Sequence, residues 1–154
     1  MLSIFFARLK RSEDSMQNVK LLYQPFGKTR VMEMTMIIHE EVLKNLAKED
    51  TRYTVESYKF LLHCLGAVQQ AQEKRHVSGQ DLCVAFRDFG CYQFGLMART
   101  VFDCWGIRKT EDIGNLVYNL IGAGIMRKQK SDKKGDFKNV FDFNELEDYK
   151  IELQ

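Results

Sequence analysis

Ile125–Phe143 reads "IMRKQKSDKKGDFKNVFDF", and the fold turns on whether its two apolar ends pair with each other. "IMRKQ" and "FKNVFDF" flank the turn-forming string "KSDKKGD", a pattern that predicts two strands joined as a β-hairpin. In the second run Phe137, Phe141 and Phe143 do not alternate cleanly, so its register stays open. Between positions 127 and 138, Arg127, Lys128, Lys130, Lys133, Lys134 and Lys138 stand against Asp132 and Asp136. Lysines commonly protect the edges of a hairpin; a basic hairpin also tracks phosphates, with a steep salt dependence.

Upstream, five stretches carry helical periodicity. "IIHEEVLKNLAKED" places Ile38, Val42, Leu43, Leu46 and Ala47 on one face, with acidic residues early and lysines late, as the helix dipole favours. After the break at "DTRY", a second helix is predicted over about 55–73, with a stripe of Val55, Tyr58, Leu62, Leu65 and Val68. Ser78 reads as an N-cap, with Asp81 three residues on, for a third helix over about 79–93 that buries Leu82, Phe86 and Phe89. A fourth runs over about 96–105 and stops at Gly106. Thr110 reads as the cap of a fifth, over 110–123, whose apolar stripe is Ile113, Leu116, Val117, Leu120 and Ile121. Gly124 stops it, and Asn144 reads as the cap of a short helix in the acidic tail.

Helix, helix, short turn, helix and then hairpin, over about 79–93, 96–105, 110–123 and 125–143, resembles a winged helix. The fold class expected is therefore mostly α (α+β): a helical N-terminal pair followed by a winged-helix-like helix-turn-helix and β-hairpin. A closer resemblance covers about 38–143. The strings "EDTRY", "HVSGQDL", "QFGLMARTVFDCWGI", "TEDIGNLVYNLIGAGIM" and "DFKNVFDF" are similar, in order, to a bacterial family of conserved hypothetical proteins. Thr51 departs from that pattern, which leads one to expect proline after the "ED" pair. The resemblance implies no activity.

Whether the fifth helix reads DNA depends on its exposed face. With the stripe buried, that face shows Glu111, Asn115, Tyr118, Asn119 and Gly122. Asn115 and Asn119 are four apart and share a side, and asparagine pairs with adenine edges. Yet the helix has no Lys or Arg, and Glu111 and Asp112 sit at the end that approaches DNA in helix-turn-helix docking. The same carboxylates also complement the dipole of a solvated helix start. A basic hairpin beside an acidic helix start favours a non-catalytic binding module with a protein-interaction or structural role. The alternative is a nucleic-acid-binding winged helix. Phosphate contacts would come from Arg127, Lys128, Lys130, Lys133 and Lys134; Asn115, Tyr118 and Asn119 would meet bases or a partner, with Tyr118 the natural anchor for a protein. A homodimer is compatible with this reading.

The bulk composition narrows the field further. The chain has 154 residues, 45% apolar and 29% charged, with net charge +2, enough for one domain with one core and too little charge to drive it onto a polyanion. Residues 1–35 hold the only proline and six basic residues against three acidic ones. They read as an irregular basic leader, with Met32, Met34 and Met36 as alternative starts, and 36–154 as a single helical domain. Residues 2–7 are too short an apolar run, with the charges on the wrong side, for a secretory signal, and no run reaches membrane-spanning length. Cys64, Cys83, Cys91 and Cys104 lie 19, 8 and 13 positions apart inside helical patterns, which fits reduced thiols in a cytoplasmic protein.

Enzyme motifs fail one by one. "HEEVL" at His39 lacks a second histidine, and "FGKTR" at Phe26 lacks the first glycine of a phosphate loop. His63 and Cys64 are neighbours that point about 100° apart on a helix. Ser78 near His76 is taken as a cap, Asp103 is a lone carboxylate, and Trp105 falls on the apolar stripe. No catalysis, cofactor or metal is expected.

Overall fold

Capping chemistry sets several of the helix boundaries. In the computed structural model, which describes residues 30–72 and 76–147, the elements are α1 (Arg30–Glu49), α2 (Val55–Gln72), α3 (Gly79–Phe94), a 3₁₀ turn (Gly95–Met97), α4 (Ala98–Cys104), α5 (Thr110–Gly122) and two more 3₁₀ turns, Lys134–Phe137 and Phe143–Leu146. Most of the expected leader, 1–29, and the tail from 148 lie outside the described residues, as does the "FGKT" string. The backbone of α1 begins at Arg30, upstream of Met36.

The Ser78 side chain accepts the N–H of Asp81 at 3.1 Å and starts α3 as expected. Gly106 stops α4 with a φ of 85°. A side chain there would run into the carbonyl of Arg52, so only glycine lets the α1–α2 loop lie on the α4–α5 turn. Gly124, at φ 77°, closes α5, with Ile125 donating back to the Leu120 carbonyl at 3.0 Å, a Schellman-type stop. Thr110 is not the cap of α5. Its hydroxyl instead accepts the N–H of Val140 at 3.3 Å, and Asp112 closes the helix start by accepting the N–H groups of Arg108 (3.0 Å) and Lys109 (3.1 Å).

The helices bury one continuous core. α2 packs on α1, α3 and α5, and its Tyr58, Leu61, Cys64 and Val68 are inaccessible to solvent. Between α2, α3 and α4 lies an aromatic cluster in which Phe86 meets Phe60 and Phe102, both at 4.9 Å between centroids. Such pairs add about 0.5–1.5 kcal/mol beyond area burial.

The winged-helix expectation is overturned in 125–143. Among the described residues there is no strand, and the architecture is all-α. Three causes are visible. Asp132 accepts the N–H of Gln129 and Asp136 that of Lys133, each at 2.8 Å, and Asp142 accepts that of Asn144 at 2.9 Å. A side chain thus takes the Gln129 amide that a ladder would need, and side chains likewise fix the turn at Lys133 and the exit at Asn144. Asn139, in the middle of the expected second strand, has a φ of 50°, a left-handed conformation that a strand excludes and asparagine tolerates. Phe137 then turns inward, 5% exposed. Its ring fills the space where Gly79 of α3 and Gly114 of α5 would carry a Cβ, 2.8 Å from either ideal position. The chain continues to α4, where Phe143 packs against Phe102 at 6.2 Å, and the expected tail helix is the 3₁₀ turn Phe143–Leu146, begun by Asp142 and not by Asn144.

Candidate functional site

Two faces of α5 separate the expected site residues. A helix turns about 100° per residue, so Asn119 points about 160° away from Ile121. Asn115 and Asn119 meet the α1–α2 loop; Tyr118 and Ile121 meet the segment after Gly124.

The first face is a closed polar seam. Tyr53, 2% exposed, donates its hydroxyl to Asp112 Oδ1 at 2.8 Å and accepts from Asn115 Nδ2 at 2.9 Å. Asn119 Nδ2 donates to Asp50 Oδ2 at 3.0 Å and to the Tyr58 hydroxyl oxygen at 2.9 Å. Arg52 grips Asp50 with two 2.8 Å bonds, the strong forked geometry, and lies over the Tyr53 ring at 5.1 Å. The Arg52 bond, with help from Asn119 against some burial, holds the Asp50 carboxyl down at about 2. Burial pushes the Tyr53 phenol up to about 12, Asp112 adding to the rise and Asn115 opposing it. The two asparagine amides are thus committed to intramolecular partners. Asp112 is a buried hydrogen-bonding centre, 9% exposed, not a solvated dipole partner.

The second face is open. Between α2, the start of α3, α5 and residues 125–137 lies a cleft of about 290 Å³. Leu65, Leu82, Val117, Ile121, Ile125 and Phe137 supply apolar lining, with Met126 beside them. Tyr118, Arg127 and Lys128, three of the expected site residues, also line it. Lys128 Nζ lies over the Tyr118 ring at 5.5 Å, and Tyr118 packs edge-on to Phe137 at 6.5 Å. Lys130, Lys133 and Lys134 are exposed on the same segment but outside the lining. His76, on the rim, has its Nε2 3.1 Å from Asp132 Oδ1.

The His76–Asp132 pair resembles the base and its orienting carboxylate in a hydrolase, but no Ser, Cys or Thr lines the cleft, and the nearby Ser78 hydroxyl accepts the Asp81 amide. Burial raises the thiols of Cys64, Cys83 and Cys91 above their ordinary value, the opposite of an activated nucleophile. Among the described residues no cluster of three His, Cys, Asp or Glu could hold a metal ion, and no helix is long and apolar enough to cross a membrane.

The cleft was not read from sequence. Its floor joins three elements through the Phe137 ring, and the only local hint was the glycine pair that admits it. Comparison of this chain with family models, curated proteins and solved structures gave no match.

Proposed function

We propose that this chain is a small non-catalytic binding module that holds a protein partner in the cleft beside α5. The observation that supports it is the cleft itself: a side-chain-sized hollow with an apolar floor, Tyr118 on its wall and a charged rim. Exposed concavities of this composition are where binding energy concentrates, since a buried aromatic or aliphatic anchor excludes water around it. The resemblance to a bacterial family of conserved hypothetical proteins is compatible with this reading and adds no activity to it. Four free cysteines support a reducing, cytoplasmic setting.

The test is site-directed photo-crosslinking in cells, with the photoreactive residue at Ile121 in the cleft or at exposed Thr51 on the seam side. The partner caught at position 121 is then purified and titrated against the full chain. The reading predicts that Ile121→Glu abolishes that binding and Thr51→Glu leaves it intact. Binding that ignores Ile121→Glu moves the functional surface elsewhere.

A further inference from the structure

The rim of the cleft carries a sign, and that sign identifies the partner's chemistry. The two acidic groups in the lining are engaged internally. Asp132 faces His76 with one oxygen and accepts the Gln129 amide with the other; Asp136 accepts the Lys133 amide. The cations are not engaged in this way. Among the described residues, none of Arg127, Lys128, Lys130, Lys133 and Lys134 has a carboxylate within ion-pair distance. With five cations against two carboxylates, this edge is net positive, although the whole chain is nearly neutral at +2.

Size says how the ligand is arranged. At about 290 Å³ the hollow is at the small end of ligand pockets, which run from about 300 to 1,000 Å³, so it takes a side chain or two and not a whole apolar segment. The basic string runs on past it: Arg127 and Lys128 border the hollow, whereas Lys130, Lys133 and Lys134 lie outside. A compact small molecule seated in the hollow would leave that outer charge unused. A chain that fills the hollow at one point and carries carboxylates along its length would use both. The apolar floor argues against a ligand charged at every unit, such as a nucleic acid.

Resting on the binding-module reading above, we propose that the cleft receives an acidic peptide segment of the partner. A bulky apolar side chain enters between Tyr118, Ile121 and Phe137, and carboxylates beside it pair with Lys128 and Arg127. Lys130, Lys133 and Lys134 draw in the flanking acidic residues and raise the encounter rate. Met126, flexible and polarizable, lets the floor fit more than one apolar side chain.

The experiment is a ¹⁵N NMR titration of the full chain with three acetylated hexapeptides. One has a leucine–phenylalanine pair flanked by glutamates, the second the same pair flanked by lysines, and the third glutamates around two glycines. A mixed-sequence DNA duplex is titrated alongside. Saturable shifts of the amides at 117–128 with the first peptide, weakened by salt, are expected. Lys128→Glu should weaken that peptide about fivefold, the upper range for one exposed ion pair, and improve the lysine-flanked one. Cleft binding by the lysine-flanked peptide in the unaltered chain overturns the acidic assignment and leaves the binding module standing. Absence of cleft shifts with all three peptides overturns both. Tighter binding by the duplex at the same amides assigns the rim to phosphates and overturns the peptide proposal.

Discussion

The two faces of α5 hold their neighbours by different means. On one, polar groups from the α1–α2 loop close on Asn115, Asn119 and Asp112 with short hydrogen bonds. On the other, the segment after the helix seats a phenyl ring between two glycines, and a cleft remains beside it. Satisfied polar networks fix one geometry and are costly to break in part. Apolar seating is less directional and tolerates an open hollow next to it. The rigid face therefore suits a structural role, and the open face suits a ligand.

Substitutions can break or sharpen this contrast. Phe137→Ala carries the largest expected effect, a loss of about 3–5 kcal/mol in urea unfolding. A loss below about 1 kcal/mol would show that the segment stays docked without its ring. Asp112→Ala should lose about 2–3 kcal/mol, because the Tyr53 hydroxyl and two backbone amides are stranded. Asp112→Asn, which keeps one acceptor oxygen, should lose less, and equal losses for the two variants would mean that shape, not hydrogen bonding, secures the seam.

Acid probes the seam more gently. The Asp50 carboxyl is held at about 2 in the folded chain, chiefly by Arg52, below its unfolded value of about 3.9. Its contribution is therefore full above the unfolded value and lost as pH falls through about 2. Solvent reaches this pair, so the effect should stay below about 1 kcal/mol. Thermal melts between pH 4 and 2 should show a slope that Asp50→Asn lessens. The smallest effect on stability belongs to Lys128→Ala, within about 0.5 kcal/mol, while its peptide affinity falls. A large stability loss there would make the rim structural and blur the two faces.

What the sequence made legible was local. The start of α3 and the stops of α4 and α5 follow from Ser78, Gly106 and Gly124, each readable within a few residues, whereas Thr110 is not the cap of α5 and the fourth helix begins only at Ala98. The segment 125–143 misled because short apolar runs on both sides of a turn also describe an irregular loop. The aspartates and Asn139 there were turn signals, outweighed by the flanking runs. The seam was out of reach for another reason: Tyr53 and Asp112 are distant in the chain, and nothing in either neighbourhood announces the other. Of the expected site, Tyr118, Arg127 and Lys128 do converge, whereas Asn115 and Asn119 are engaged on the opposite face.

The glycine-bounded seat of Phe137 also orders events in time. Its walls come from α3 and α5, so the seat does not exist in a chain whose helices have not yet met. Docking of the ring therefore follows the meeting of α3 and α5, and the expectation is that it also follows the rate-limiting barrier. Phe137→Ala should leave the refolding rate nearly unchanged and accelerate unfolding, which makes the segment after α5 a passenger while the chain folds and a lock once it has.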